Sequence, residues 1–302
     1  MFKSKNSMSR ALVRRETTAG YLFLLPSLFF FVTFVLYPMF LCIYTSFFDS
    51  NMGKNAVDVF VGLGNYKELF QDKLFLGALK NTVIIVVVAV PTVCAFSLWV
   101  ATAIYDMKPA LTSAFRCIFY LPVVTGSVAV TVVWKWMYNS RYGVFNYLFK
   151  SLGIIDQNIN WLGDARFALW CIILILFTTS VGQPIVLYVS ALGNVDYSLV
   201  EAAQVDGANR RQVFWKIKWA QIMPTTLYIL IITTINSFQC FALIQLLTSG
   251  GPTHSTDTIM YYIYYTAFKL YRYGYGNAMG VVLMIIIAVL SAVQFKLGQQ
   301  SD

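Results

Sequence analysis

Six long apolar stretches limit what this chain can fold into more than any other feature. They cover residues 20–48, 81–105, 115–138, 167–192, 222–247 and 277–297. A helix needs about 20 mainly apolar residues to cross the bilayer core, because every backbone N–H and C=O group must be satisfied within the segment. The pattern predicts an all-α polytopic membrane protein with six transmembrane helices. A further apolar patch at 259–268 is about half the spanning length and is interpreted as a re-entrant or interfacial helix.

The composition agrees with a membrane protein and excludes several other classes. Hydrophobic residues make up 58% of the chain and charged residues only 12%, whereas a soluble domain carries about 25% charged residues. Intrinsic disorder, a disulfide-rich secreted module and a collagen-like fibre are excluded. The net charge of +9 does not indicate a nucleic-acid partner, because the basic residues lie between apolar runs. The five cysteines lie in apolar stretches and are predicted to be free thiols.

The distribution of basic residues predicts the orientation of the chain in the membrane. Lys3, Lys5, Arg10, Arg14 and Arg15 make the start of the chain strongly basic. Such segments stay in the cytoplasm by the positive-inside rule. With six crossings, both termini and the segment between the fourth and fifth spans then face the cytoplasm.

Residue types missing from the spans exclude further functions. No Asp or Glu lies within the six stretches, so a proton relay has no obvious carrier. The phosphate-binding pattern G-x-x-x-x-G-K-[ST] is also absent, so any nucleotide hydrolysis must come from a partner. His254 is the only histidine and has no Cys or carboxylate at metal-ligand spacing. We therefore expect a solvated loop histidine and no metal site.

The segment between the fourth and fifth spans has the pattern of a helix, a sharp turn and a second helix. Ser198 and Glu201 have the spacing of a capping box, which predicts a helix start at Ser198. Gly207 can adopt the left-handed conformation that ends a helix. Asn209 and Gln212 can cap the next helix directly afterwards.

One face of this short helix carries Leu199, Ala202, Ala203 and Asp206 at spacings of three and four residues. The two alanines permit close backbone approach, so the helix could dock in a groove of another protein. An ordinary capped loop helix resting on its own bundle fits the same pattern. The physical pattern alone does not decide between these interpretations.

The order of these residues resembles a known family. Glu201-Ala202-Ala203, then Gly207 after three residues and Ile217 after nine more, is similar to the cytoplasmic signature of permease subunits in binding-protein-dependent ABC importers. Leu24-Leu25-Pro26, Tyr37-Pro38 and Gly250-Gly251-Pro252 resemble the first permease of the carbohydrate-uptake branch. Trp219 and Ala220 depart from the family, which usually has Leu-Pro there. The start of the fifth helix is therefore expected to be less bent.

The resemblance implies an ABC importer type I permease fold and a set of partners. Residues 1–19 would be a cytoplasmic segment, 20–76 the first transmembrane helix and external loop, 77–298 the permease domain and 299–302 a tail. The partners would be a second permease, as a heterodimer rather than a homodimer, two ABC ATPase subunits, an external solute-binding protein, a sugar and membrane lipid. ATP and Mg would be bound by the ATPases, with no cofactor in this chain.

The function implied by the resemblance is ATP-driven import of a mono- or oligosaccharide by alternating access, in the cytoplasmic membrane of a bacterium or archaeon. This chain would form half of the path and would not be an enzyme. Residues 198–207 would form a coupling helix, which would contact the ATPase through Glu201, Ala202, Ala203, Asp206 and Gly207.

Polar residues inside the apolar spans are the candidate sugar contacts. Carbohydrate binding needs hydrogen-bonding side chains beside aromatic faces. The candidates lie in the fourth and fifth spans: Ser180, Gln183, Thr233, Asn236, Ser237, Gln239 and Cys240. Hydrogen bonding between helices explains the same residues equally well.

Two alternatives from other classes remain at this point. A membrane-embedded enzyme of lipid-linked sugar metabolism would also have aromatic residues and a basic inner face, although no catalytic carboxylate pair or metal site is evident. A passive channel would differ from an importer in needing neither ATP nor a binding protein.

Overall fold

Long helices dominate the computed structural model, which describes the backbone of residues 4–50 and 58–299 and the side chains of 12–50 and 58–298. Within this part of the chain, five segments are long and apolar enough to cross a membrane: Leu12–Thr45, Lys73–Tyr105, Ala168–Gly193, Arg210–Leu247 and Tyr273–Gly298. A sixth crossing exists when Pro109–Val124 and Ser127–Met137 are taken as one broken span.

The third span departs from the single helix that hydropathy predicts. Its two halves, Pro109–Val124 and Ser127–Met137, are bent by 95°. Thr125 is extended and Gly126 precedes the second half, so the backbone leaves the helical conformation between them. Both halves are rich in apolar residues. Hydropathy alone therefore does not reveal the bend between them.

The first span is packed against the bundle only through its second half, Tyr37–Thr45, which contacts the sixth span. It consists of the helix Ser4–Phe31, a π-helical turn Val32–Leu36 and the helix Tyr37–Thr45. Every side chain from residue 12 to residue 32 is exposed. A small layer, called here the strand layer, follows, with the antiparallel strands Phe48–Asp49 and Val59–Phe60 and the helix Gly64–Gln71.

The core forms around the second span, Lys73–Tyr105. It packs against parts of the fourth and fifth spans, Gly182–Gly193 and Trp219–Phe238. Ile185 and Tyr188 are almost completely buried in this layer. The arrangement places the second, fourth and fifth spans side by side, with the third span against the fourth.

The remaining elements extend or connect these spans. The fourth span begins with Ala168–Ser180, and the fifth begins with Arg210–Val213 and the π-helical Phe214–Lys218 and ends with Ala242–Leu247. The sixth span lies in the helix Tyr273–Gln299. Besides Gly64–Gln71, the described short helices outside the candidate spans are Val144–Ser151, Tyr197–Val205 and Ile259–Tyr264, the last continued by the π-helical Tyr265–Lys269.

The apolar patch at 259–268 is not among the candidate spans of the described residues. Ile259–Tyr264 packs against the second and sixth spans. Its side chains Ile259, Tyr261 and Tyr262 are buried. Packing against these helices accounts for the apolar character of the three residues.

Candidate functional site

The short helix between the fourth and fifth spans, Tyr197–Val205, is capped differently from the sequence prediction. Asp196 is the N-cap, and its carboxylate accepts a hydrogen bond from the N–H of Ser198 at 2.9 Å. The predicted capping box of Ser198 with Glu201 is therefore wrong. A carboxylate one residue before the helix supplies a charged acceptor for the free N–H groups of the first turn. Hydrogen bonds from the Ser198 hydroxyl and N–H lower the pKa of Asp196 below its usual value.

The other end of the helix confirms the predicted role of Gly207 as a left-handed residue. Gly207 has φ +81°, and its N–H bonds to the carbonyl of Gln204 at 3.1 Å. The N–H of Ala208 bonds to the carbonyl of Ala203 at 2.9 Å. These two bonds form a Schellman motif, which satisfies carbonyls that the helix end would otherwise leave unpaired. The predicted capping box of Asn209 and Gln212 begins the next helix.

The helix is joined to the transmembrane body at two points. The N–H of Asp196 donates to Oε1 of Gln221, at the start of the fifth span, at 2.9 Å. Val200 faces inward and is only 3% exposed. These contacts hold the helix against the inner ends of the spans.

The surface of this helix that faces away from the spans includes exposed apolar side chains, although the surrounding segment is polar. Leu199 is 50% exposed and Val205 is 88% exposed. Glu201, Ala202 and Asp206 are also exposed, whereas Ala203 is half-buried. In the part of the chain whose side chains the structure describes, nothing covers the tip of this helix. Val205 is not among the residues that the sequence predicted to contact a partner.

A cavity of about 160 Å³, here called the first cavity, opens between the third, fourth and fifth spans. Four of the residues predicted to contact sugar line it: Ser180, Gln183, Thr233 and Asn236. The Gln183 and Asn236 side chains are exposed, so their amides face open space rather than the packed core.

A second cavity of about 320 Å³ adjoins the first, since both include Val123 and Thr179 in their walls. Gln239 and Cys240, two further predicted contacts, line it. Cys240 lies beyond the end of the helix Trp219–Phe238. Cys240 therefore reaches the second cavity from non-helical backbone, although the sequence places it within the fifth span.

Ser237 is the predicted contact that lines neither cavity; its side chain is 2% exposed and packed inside the protein. Thr234, three positions before it, accepts a hydrogen bond from Nε2 of Gln294 in the sixth span at 2.9 Å. The fifth span thus has polar residues of two kinds. The polar residues on one side of this helix line the cavities. Thr234, on the other side, is hydrogen-bonded to the sixth span.

Helix interruptions border the two cavities. The bend at Thr125 and the break after Phe238 contribute Thr125, Gln239 and Phe241 to the second cavity. The break at Val181 lies between Ser180 and Gln183 of the first cavity. Non-helical backbone at membrane depth is tolerated only where protein buries it or where it lines a cavity. The interruptions in these three spans therefore lie beside open space rather than in a fully packed core.

Tyr228 also lines the first cavity, with its ring half exposed. Sequence reasoning missed it because an aromatic residue within an apolar span is equally consistent with packing against lipid. Its spacing of eight residues from Asn236 was the available signal, since positions i, i+4 and i+8 share a helix face.

Two carboxylates on the opposite side of the fold from the capped helix have structural roles that sequence reasoning missed. Asp72 accepts hydrogen bonds from the hydroxyls of Tyr262 at 2.7 Å and Tyr275 at 2.9 Å. Asp257 is 2% exposed and lies 2.7 Å from Nδ1 of His254. His254 is a loop histidine with its side chain 49% exposed, as the sequence predicted, and the buried carboxylate three residues away binds its ring. Burial raises the pKa of Asp257 despite that contact.

These features together define a class of protein: a polytopic membrane subunit with a polar, cavity-lined break region and a separate helix displayed beyond the spans. The family model for the binding-protein-dependent transport system inner membrane component matches residues 20–299. The chain belongs to this family of ABC importer permease subunits, which are inner-membrane, non-catalytic components.

Individual relatives and a solved structure agree with this membership. The chain is 33% identical over 288 residues to the probable ABC transporter permease protein YesP of Bacillus subtilis, covering 94% of this chain and 91% of the relative. It is also 33% identical over 288 residues to the lactose transport system permease protein LacF of Rhizobium radiobacter, covering 94% and 95%. The crystal structure of a bacterial ABC transporter for import of the acidic polysaccharide alginate has the same fold, with TM-score 0.81, 23% identity and coverage of 97% and 99%.

Family membership resolves the alternatives that the sequence left open. A membrane-embedded enzyme of lipid-linked sugars is wrong, because these permeases are non-catalytic. A passive channel is wrong as well, because the family works in binding-protein-dependent transport. The predicted ABC importer permease fold is confirmed.

Proposed function

We propose that this chain is one of two nonidentical permeases in an ATP-driven importer of uncharged mono- or oligosaccharides. The observation that carries the proposal is the pair of adjoining cavities at the helix breaks, whose polar lining consists of hydroxyl, amide and thiol groups. Hydroxyl and amide side chains hydrogen-bond sugar hydroxyls in either direction. Tyr228 adds an aromatic face beside them.

The names of similar proteins favour carbohydrate. LacF is a lactose transport system permease, and MsmF of Streptococcus mutans, 32% identical over 283 residues, belongs to a multiple sugar-binding transport system. An acidic sugar would need charge-assisted partners such as Arg or Lys. The lining of both cavities, as far as the structure describes the chain, is uncharged. This supports a neutral substrate.

The displayed helix is proposed to be the coupling helix. This helix has capped ends, is anchored at Val200 and exposes Leu199 and Val205. These features suit a rigid projection that docks in an ATPase cleft. Glu201 and Asp206 would then meet polar groups at the rim of the cleft. ATP and Mg are proposed to bind in the partner subunits. The motion of those subunits would switch the spans between outward-open and inward-open states.

A second permease is proposed to cover the first span. All side chains from residue 12 to residue 32 are exposed, so this half of the first span is not covered by the described part of its own chain. A second chain would also close the open side of the two cavities. An external solute-binding protein would deliver the sugar to that path.

The test of the sugar path compares two neighbouring residues of the fifth span. Asn236→Leu removes a cavity amide, so uptake of labelled neutral disaccharides is expected to fall about tenfold, the loss of roughly 1.4 kcal/mol of hydrogen bonding. Uptake is measured in proteoliposomes containing the whole complex and the binding protein.

Ser237→Ala is the matched control, because Ser237 is buried away from the cavities. It is expected to leave sugar selectivity unchanged. Loss of complex assembly in Asn236→Leu, with normal uptake by the complex that remains, would contradict a sugar contact and favour helix-to-helix bonding. Uptake of a labelled uronic acid at the same rate as neutral sugars would contradict the proposed substrate class.

A further inference from the structure

A third cavity, of about 530 Å³, lies beside the proposed coupling helix. We call it the inner cavity. Its walls include the end of the second span at Tyr105, the end of the fourth span at Leu192 and the first turns of the fifth span from Arg210 to Lys218. Tyr197 and Gln204 of the coupling helix also line it. The inner cavity therefore lies at the level where the spans leave the membrane, and it is separate from the two cavities of the sugar path.

Two cations face the inner cavity. Lys218 is half-buried, and its Nζ lies 5.2 Å from the centroid of the Tyr105 ring. Arg210 lines the same space. The ion pairs found among the described residues join Arg166 to Asp164, His254 to Asp257 and Arg272 to Glu68, so neither cation is neutralised by a carboxylate in this part of the chain.

The inner cavity also contains an opposing charge and an apolar floor. Asp106 lines it and would repel an anion placed near it. Val200 and Val213 are both buried and form part of the floor. A cavity with cations and tyrosines above apolar side chains, at the end of transmembrane helices, suits a ligand with a negative head and apolar chains.

We propose that the inner cavity binds the phosphate of an anionic phospholipid from the cytoplasmic leaflet. Arg210 would hydrogen-bond the phosphate oxygens and Lys218 would supply a second charge, kept in place by the Tyr105 ring. The acyl chains would leave between the span ends toward the bilayer. Because Tyr197 and Gln204 form one wall, the lipid would brace the coupling helix against the second span. This inference depends on the predicted orientation and on the proposed coupling helix.

The test measures lipid retention, which does not require transport. The whole complex is reconstituted in nanodiscs of equal phosphatidylglycerol and phosphatidylcholine, released, and analysed for bound lipid by native mass spectrometry. The wild type is expected to retain phosphatidylglycerol in preference to phosphatidylcholine. Arg210→Gln and Lys218→Gln are each expected to reduce that preference about fivefold, the equivalent of about 1 kcal/mol per cation near an anionic surface.

Matched variants distinguish lipid binding in the inner cavity from attraction by the basic surface as a whole. Arg211→Gln and Lys216→Gln remove the same charges from exposed neighbours that do not line the inner cavity. They are expected to leave retention unchanged. Asp106→Asn removes the repelling carboxylate and is expected to increase retention of phosphatidylglycerol.

Two outcomes would overturn the proposal. Equal loss in both pairs of variants would mean that the basic surface, and not the inner cavity, attracts lipid. The second arm uses complexes in phosphatidylcholine alone with inorganic phosphate. Thermal stabilisation by inorganic phosphate that depends on Lys218, without preferential lipid retention, would assign the inner cavity to a free anion instead. Failed sugar uptake with normal lipid retention would count against the proposed function only.

Discussion

Gly207 shows how a single residue determines the end of the proposed coupling helix. Its φ of +81° lies in the left-handed region, and both bonds of the Schellman motif depend on it. A Cβ at this position would meet nothing within 4 Å, so space does not exclude a side chain. The backbone conformation disfavours a side chain, since a non-glycine residue with a left-handed φ costs about 1–2 kcal/mol.

Gly207→Val is expected to lower the number of sugars transported per ATP hydrolysed, because the strained turn would misdirect the helix that meets the ATPase. The complex is expected to remain assembled, since the residue is exposed. The ratio is measured in proteoliposomes from sugar uptake and phosphate release. Gly153→Val is the control, because Gly153 also has a left-handed φ, +66°, and open space but lies in the segment after Val144–Ser151. An equal loss of coupling in both variants would contradict the proposed role of Gly207.

At the scale of secondary-structure elements, the third and fourth spans meet at an unusually close contact. A Cβ built on Gly182 would overlap the carbonyl oxygen of Phe119. The glycine therefore permits the two backbones to approach directly beside the break at Val181. This contact sets the distance between two walls of the first cavity.

Gly182→Ala is expected to lower the thermal stability of the purified complex, because the methyl group must push the third span away. Overpacking of this kind costs about 1–3 kcal/mol. Gly77→Ala is the matched change within the second span, where a Cβ meets nothing within 4 Å. It is expected to leave stability unchanged or raise it, since Ala favours helix over Gly. Aggregation temperature in detergent distinguishes the two. Equal aggregation temperatures for both variants would show that the third span moves to accept the methyl group without loss of stability.

At the scale of the whole molecule, Asp72 joins parts of the chain that are far apart in sequence. It caps the second span through the N–H of Leu74 at 2.8 Å and binds the hydroxyls of Tyr262 and Tyr275. Nearby, Glu68 and Arg272 form a bidentate pair with both distances 2.8 Å. These contacts connect the strand layer and the start of the second span to the start of the sixth span, so they tie this end of the bundle together.

The Asp72 contacts predict a dependence of stability on pH. Burial raises the pKa of this carboxyl, but hydrogen bonds from Tyr262, Tyr275 and two backbone N–H groups outweigh it and lower the pKa below its usual value. The stabilisation is fully present above the unfolded pKa, about 3.9, and is lost as the pH falls through the lower folded value.

Asp72→Asn is expected to lower the unfolding temperature at neutral pH and to lessen its fall in acid. The measurement is the unfolding temperature of the detergent-solubilised complex between about pH 3 and pH 7, the range that brackets the carboxyl pKa. Asp156→Asn, at an exposed site, is expected to change neither quantity. A wild-type acid dependence that persists in Asp72→Asn would show that other carboxylates control it.

The sequence alone determined the membrane class and most of the spans, because about 20 apolar residues in a row have few other uses. It also predicted the Gly207 turn and the Asn209–Gln212 cap, since helix ends depend on near neighbours. The capping residue Asp196 was missed because Ser198 also satisfied the local pattern.

Only the tertiary structure decided which polar residues of the spans share a cavity. Asn236 and Ser237 are neighbours of similar polarity, yet one faces the first cavity and the other is buried. The bend at Thr125 and the Asp72 contacts were likewise not predicted from the sequence. Each depends on groups distant in sequence, and such contacts leave no periodicity along the chain, whereas burial in lipid acts on each residue in turn.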